Sequence, residues 1–189
     1  MVTLELTLAA LVVLLLLVAS YTDARSRIIP DWVNISIALI AVSFWYASQL
    51  TLWPGVALQL GIATAVLLVF MIAFHAGQMG GGDVKLLTAL ALLLPPLDFL
   101  DAFIGTAMAG GILTSVQLVR HTLRADGQKF ENPYGISIAI GAIIALGGRY
   151  GYLPETAILQ VLTPTAIVCC IAALAFRWSR RAFATREGR

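Results

Sequence analysis

The chain has very little charge for a soluble protein. Of its 189 residues only 12% are Asp, Glu, Lys or Arg, whereas 60% are hydrophobic. The mean hydropathy is +0.92. Because a soluble domain usually carries about 25% charged residues, there is not enough polar surface here to coat a water-soluble globule. The shortage excludes an ordinary soluble fold and predicts that lipid is the main solvent.

Two further shortages exclude other features. Met1 to Glu5 contains no Lys or Arg, so the positive segment of a cleavable signal is missing and the first apolar segment is expected to stay as a helix. The two cysteines, Cys169 and Cys170, are adjacent in an apolar stretch. Neighbouring residues of a helix point about 100° apart, which is unsuitable for a disulfide between them or for a zinc site. We expect no metal and no cofactor.

Long apolar runs are what the sequence does have. A helix needs about 20 apolar residues to cross a bilayer, and the candidates, two of them short, are Leu4–Ser20, Val33–Leu50, Gly55–His75, Val84–Leu97, Leu100–Val119, Tyr134–Leu146 and Thr156–Phe176. Pro95-Pro96 ends the fourth and Gly147-Gly148 the sixth. We predict an all-α membrane protein, a polytopic bundle of six or seven transmembrane helices. Residues 1–178 form a single domain, and residues 179–189 form a basic tail.

The basic residues predict an orientation. With seven spans, the segments around residues 21–32, 76–83 and 120–133 share one side with the C-terminal tail. Eleven of the twelve Lys and Arg residues fall on that side, and Arg149 is the exception. The positive-inside rule then places the N-terminus outside and the C-terminus in the cytoplasm. The tail is expected to contact anionic lipid headgroups rather than nucleic acid.

Two acidic residues stand at the edges of apolar spans, where a charge is costly and needs a partner or a function. Asp23 directly follows the first span, and Asp83 opens the fourth. Two complete spans separate them, so both are predicted at the same face of the membrane. If the two carboxylates come within hydrogen-bond reach of one water molecule, they cannot both remain ionised. The pair then shares one proton. The ionised member can take a proton from water while the protonated member polarises a peptide carbonyl.

Gly80, Gly81 and Gly82 directly precede Asp83. Three missing side chains are expected to allow positive φ angles and a close approach of a substrate backbone to the carboxylate. A peptide bond within a helix must unwind before it is cut, and an open groove of backbone would suit that step.

Structural roles are the alternative for each aspartate. Asp83 could cap the fourth helix, and Asp31, just after Pro30, is predicted to cap the second helix rather than to act in catalysis. Asp23 could instead form an ion pair with Arg25 or Arg27. These alternatives stay open on the residues alone.

Three segments, in order, resemble the type IV prepilin peptidases. Gly80 to Leu87 reads GGGDVKLL and is similar to the GxGD motif of that family with its Asp-x-Lys-Leu continuation. Asp23, followed by Ile29-Pro30-Asp31, is similar to the family's first-aspartate segment. Pro133-Tyr134-Gly135 resembles the start of a third family segment. The resemblance covers about residues 20 to 140.

The resemblance implies an intramembrane aspartic endopeptidase of the bacterial inner membrane. It implies Asp23 and Asp83 as the catalytic pair, with Gly80, Gly81, Gly82, Lys85, Pro133, Tyr134 and Gly135 as motif or substrate-binding residues. The expected partners are prepilin-like membrane proteins, cut before their apolar helix. Larger members carry a cytoplasmic insertion with paired CxxC motifs, which this sequence does not contain. In this respect the chain resembles the short Flp/Tad-type forms, and methyltransferase activity is not implied.

Other functions compete with this interpretation. A small transporter would place ionisable groups at mid-membrane, whereas Gln59, Gln117 and Gln160 are isolated amides and His75 ends a span. Presenilin-like proteases carry Tyr-Asp on the first catalytic helix, whereas Asp23 follows Thr22. A non-proteolytic assembly factor of a pilus or secretion system would not need both aspartates.

Overall fold

The computed structural model describes residues 2–124 and 134–151, without the side chains of Val2 and of residues 118–124. These residues form no strand and six α-helices, namely α1 (Val2–Ser26), α2 (Asp31–Ala47), α3 (Ala57–His75), α4 (Gly81–Leu93), α5 (Pro96–Arg124) and α6 (Tyr134–Arg149). A π-helical turn, Leu52–Val56, precedes α3. The helices match the first six predicted spans. The seventh span, Cys169–Cys170, Pro133 and the basic tail lie outside the described residues.

Within the described ranges, three segments are long and apolar enough to cross a membrane: Thr3–Ser26, Leu52–His75 and Pro96–Gln117. The apolar helices α2 and α6 are shorter, with 17 and 16 residues. Apolar side chains also cover much of the outer surface, and on α3 only Gln59 and Ala63 are buried. The described part of the chain is thus all-helical, with the apolar helices of a membrane protein, while six or seven spans and their orientation stay predictions.

Proline and glycine set two of the helix boundaries. α4 ends at Leu93 and α5 begins at Pro96, so the predicted fourth span, which ran to Leu97, is too long. A proline at the first helical position lacks only an N–H that would be unpaired anyway. Gly77 ends α3 with φ +68°, and the neighbouring N–H groups return to the last carbonyls of the helix as in a left-handed C-cap.

The helices α5 and α6 pack backbone against backbone. A Cβ added to Gly105 would lie 2.9 Å from the Gly141 Cα, and one added to Gly141 would collide with the Ala102 carbonyl oxygen. Small residues permit such close approach, which membrane helices use where burial of apolar surface from water cannot drive association. The two glycines thereby allow direct backbone contact between α5 and α6.

The short helix α4 lies inside the bundle. It has 13 residues, eight of them buried, and at 1.5 Å per residue it is about 20 Å long. Its last carbonyls would therefore be unpaired at membrane depth, which is costly in lipid. Gln59 of α3 donates to the Ala91 oxygen at 2.9 Å and to the Leu94 oxygen, and Trp45 of α2 donates to the Leu92 oxygen at 2.9 Å.

Gln59 is thus a C-terminal cap for α4, not the isolated amide that the sequence indicated.

The chain runs up and down between two ends of the bundle. At one end, which we call the aspartate end, α1 and α3 finish and α2, α4 and α6 begin. At the other, which we call the Arg149 end, α6 finishes and α5 begins. Fully buried side chains fill the space between them: Leu16, Ile37, Leu86, Leu90 and Ile138.

Candidate active site

Asp23 lies in the last turn of α1 and is 6% exposed. Its Oδ2 atom accepts a hydrogen bond of 2.9 Å from the backbone N–H of Gly135, at the start of α6. The two residues are 112 positions apart in the chain. A Cβ on Gly135 would lie 2.8 Å from the same carboxylate oxygen, so the contact requires glycine there.

Asp83 is the third residue of α4 and is 8% exposed. Its Oδ1 atom is buried and has no hydrogen-bond partner among the described residues. Burial and, secondly, the nearby Asp23 carboxylate raise the pKa of Asp83 to about 6, and the backbone N–H of Gly80 offsets this only in part. The two carboxyl groups are thus close enough to interact electrostatically, at the same end of the bundle as predicted.

The three glycines before Asp83 leave space for three neighbours. A Cβ on Gly80 would lie 2.9 Å from the Asp83 Oδ2, one on Gly81 would lie 3.3 Å from the Phe74 ring, and one on Gly82 would lie 3.1 Å from the Ile29 Cβ. The expected positive φ angles are wrong. Gly80 is extended with φ −73°, and neither Gly81 nor Gly82, which open α4, has a positive φ. Close packing, not unusual backbone torsion, is what requires glycine here.

Neither predicted helix cap is present. The N-cap of α2 is Pro30 and that of α4 is Gly80, so Asp31 and Asp83 each fall inside the first turn. Asp31 instead forms an ion pair with Lys85, whose Nζ atom lies 2.7 Å from the Asp31 Oδ1 atom, and both side chains are more than half exposed. Such an exposed ion pair contributes only about 0–1 kcal/mol to stability. It therefore does not account for the packing of α2 against α4.

The proposed ion pair of Asp23 with an arginine is also not formed. Arg25 donates to the Tyr21 hydroxyl at 3.0 Å, and no salt bridge involves Asp23 within residues 2–124 and 134–151. Of the predicted third segment, Tyr134 and Gly135 lie at the aspartate end.

The His75 Nδ1 atom forms a hydrogen bond of 3.0 Å with the backbone oxygen of Met71 in its own helix.

One buried polar residue at the aspartate end was not predicted from the sequence. Asn34, one turn into α2, is 5% exposed, and neither atom of its amide has a partner among the residues described. The signal was available, since Asn34 is the second residue of the predicted apolar span Val33–Leu50, where a buried amide needs a hydrogen-bond partner.

Two buried carboxyl groups that repel each other are suited to acid–base chemistry, because one is driven to hold a proton. Three or more His, Cys, Asp or Glu side chains that could hold a metal ion together do not occur in the described part of the chain. The residues that the structure brings together are Asp23, Asp83, Gly80, Gly81, Gly82 and Gly135, with Lys85 and Tyr134 at the edge.

Comparison with known proteins gives a family. No curated protein and no solved structure matches the sequence. The sequence model of the type IV leader peptidase family matches residues 10–115, more than half of the chain and including both aspartates and the glycines before Asp83. The chain therefore belongs to the type IV leader peptidase family, and at the family level it is a protease.

Proposed function

We propose that the protein is an aspartic endopeptidase that removes the leader peptide of Flp-like type IV prepilins at the cytoplasmic face of the bacterial inner membrane. Asp23 and Asp83 are its catalytic pair. The observation that carries the proposal is the meeting of two buried carboxyl groups at one end of a membrane bundle, one with a pKa of about 6. The family match gives the general activity, and the carboxyl pair gives the chemistry.

The pair carries one proton in the working state. The ionised aspartate takes a proton from water as the water oxygen bonds to the scissile carbonyl carbon, and the protonated aspartate donates a hydrogen bond to the carbonyl oxygen. When the tetrahedral intermediate collapses, the C–N bond breaks. The leaving nitrogen receives the proton that came from the water, and both aspartates return to their starting state.

The remaining motif residues are proposed to receive the substrate. Gly80 and Tyr134 are exposed at the aspartate end, where an unwound segment could reach the carboxyl groups. The exposed Lys85–Asp31 pair costs little to open, so Lys85 is available to an acidic group of the substrate. Pro133, next to Tyr134, is included on the resemblance alone.

The transporter alternative receives no support from the buried amide in the first turn of α3, because Gln59 donates hydrogen bonds to two backbone carbonyls at the end of α4.

Prepilin processing in membranes tests the proposal. A Flp-type prepilin with a glycine before its apolar helix is co-expressed with wild type, Asp23→Asn, Asp83→Asn or Asp31→Asn, and cleavage is followed by gel mobility. We expect the first two changes to abolish processing and the third, at an exposed carboxylate, to preserve it. Processing that survives both Asp23→Asn and Asp83→Asn would contradict the catalytic pair. A wild type that cuts no prepilin tested would contradict the substrate class.

A further inference from the structure

The two carboxyl groups have different surroundings. Asp23 receives the Gly135 N–H at 2.9 Å, and the N–H of Ile136 also interacts with it. These are among the first N–H groups of α6, which have no partner inside the helix and stand at its partially positive end. Hydrogen bonds donated to a carboxylate favour its charged form, and here they oppose the burial of Asp23, which favours the neutral form.

Asp83 has fewer donors. Among the described residues, Gly80 has the one backbone N–H that acts on Asp83, and the Asp83 Oδ1 atom is buried without a partner. A buried carboxylate oxygen without a donor is costly, whereas a protonated one can donate to a substrate carbonyl. The surroundings of Asp83 therefore favour the neutral form.

We propose that Gly135 is a positioning residue that fixes Asp23 as the ionised base and leaves the shared proton on Asp83. The inference rests on the proposed function, and it assigns which aspartate acts as base and which as acid. Gly135 does so in two ways: it donates its N–H, and its missing side chain lets α6 come close. A Cβ there would lie 3.0 Å or less from three atoms of the Asp23 side chain.

Among the described residues, one further charged group acts on the pair: Arg27, just beyond α1, acts on Asp23. On the neighbouring α2, Asp31 is already paired with Lys85 of α4. Arg27 interacts only through space, whereas Gly135 makes a direct hydrogen bond, so the glycine is the group to change.

Infrared spectroscopy of the purified full chain in lipid nanodiscs tests the proton's location without substrate. We expect the band of a protonated buried carboxyl to persist in wild type up to about pH 6, the pKa of Asp83. Asp83→Asn should remove the part of this band that is lost near pH 6 and leave only that of Asp23. Asp23→Asn should keep it but move its loss to lower pH, because the repelling neighbour is gone. A band lost in Asp23→Asn and kept in Asp83→Asn would overturn the assignment.

The role of Gly135 is measured on Asp23 alone, in the Asp83→Asn background. Adding Gly135→Ala should raise the pH at which Asp23 loses its proton by about one unit or more, since a hydrogen bond to a charged group is that strong. Gly148→Ala, in the same helix, is the control because a Cβ there meets nothing within 4 Å. Equal titration of the two double variants would overturn the inference.

Cleavage kinetics separate this inference from the proposed function. Gly135→Ala should lower kcat by about 10- to 100-fold with little change in KM, and move the acidic limb of the pH–rate profile upward, while Gly148→Ala keeps wild-type values. If wild type cleaves prepilin and Gly135→Ala cleaves it equally fast with the same pH profile, the positioning role alone is wrong. If wild type cleaves nothing but the titration shifts as expected, the proposed function fails and the proton assignment stands.

Discussion

The two ends of the bundle treat their charged groups in opposite ways. At the Arg149 end, Arg149 of α6 donates to Asp98 of α5 at 2.6 Å, and its guanidinium lies 5.4 Å from the centre of the Phe44 ring of α2. The Tyr150 hydroxyl donates a hydrogen bond of 3.5 Å to the backbone carbonyl oxygen of Glu5 in α1. Opposite charge, aromatic faces and carbonyls thus link four helices.

At the aspartate end, like charges meet and polar atoms lack partners. Asp23 and Asp83 are both buried, and the Asp83 Oδ1 atom and both amide atoms of Asn34 have no partner among the residues described. Each such group costs about 1–3 kcal/mol. Natural proteins keep locally unfavourable arrangements mainly where function requires them. Because the Ser48 Oγ atom beyond the opposite end of α2 is also buried without a partner among the described residues, the contrast depends on the charged groups, which attract each other at the Arg149 end and repel each other at the aspartate end.

The largest effect is expected from Asp83→Asn. The folded state raises the pKa of Asp83 from 3.8 to about 6, so it binds the proton more tightly than the unfolded chain does. Stability therefore falls as the pH rises from about 4 to about 6, and above that range the charged carboxylate costs up to about 3 kcal/mol. Asp83→Asn should remove this cost and raise the melting temperature at pH 8 while changing it little at pH 4.

Thermal unfolding in detergent at both pH values measures this effect. Asp31→Asn, at an exposed and ion-paired carboxylate, is the matched control and should show no such gain at pH 8. A melting temperature that Asp83→Asn lowers at pH 8 would mean that the charged carboxylate stabilises the fold, and the contrast between the ends would be lost.

Local features of the sequence predicted the helices and the two aspartates. Apolar runs and the Pro95-Pro96 pair mark helices regardless of what surrounds them, and the separation of Asp23 from Asp83 by two spans places them at one end. The contacts that complete the site link distant positions. Gly135 is 112 residues from Asp23, and nothing in the local sequence specifies which neighbour its N–H meets.

The same limit applies to Gln59, which lies 32 and 35 residues from the carbonyls it bonds. As a lone amide in an apolar run it gave no clue to a partner. The expected positive φ at Gly80 to Gly82 was wrong for a related reason. Glycine serves either unusual torsion or close packing, and only the positions of Phe74 and Ile29 decide between them.

A smaller effect is expected at the Arg149 end. Arg149→Met keeps much of the apolar side chain but leaves Asp98, whose side chain is 24% exposed, without its partner. We expect a loss of about 1–2 kcal/mol in the free energy of unfolding, with unchanged cleavage per folded molecule. Lys85→Met is the control, because its ion pair is more than half exposed and should contribute less than about 1 kcal/mol. Equal losses would show that the Arg149 end is not specially stabilised.

The smallest effect is expected from Asn34→Leu. The two side chains are similar in size, and the substitution removes a buried amide that has no partner among the described residues, so we expect a gain of about 1 kcal/mol in the free energy of unfolding. Ser48→Ala, which removes another unpaired buried atom at the opposite end of α2, is the control. Chemical denaturation of both variants measures the difference. If Asn34→Leu destabilises the protein while Ser48→Ala does not, the amide is bonded in the folded protein and the aspartate end gives up less stability than its geometry indicates.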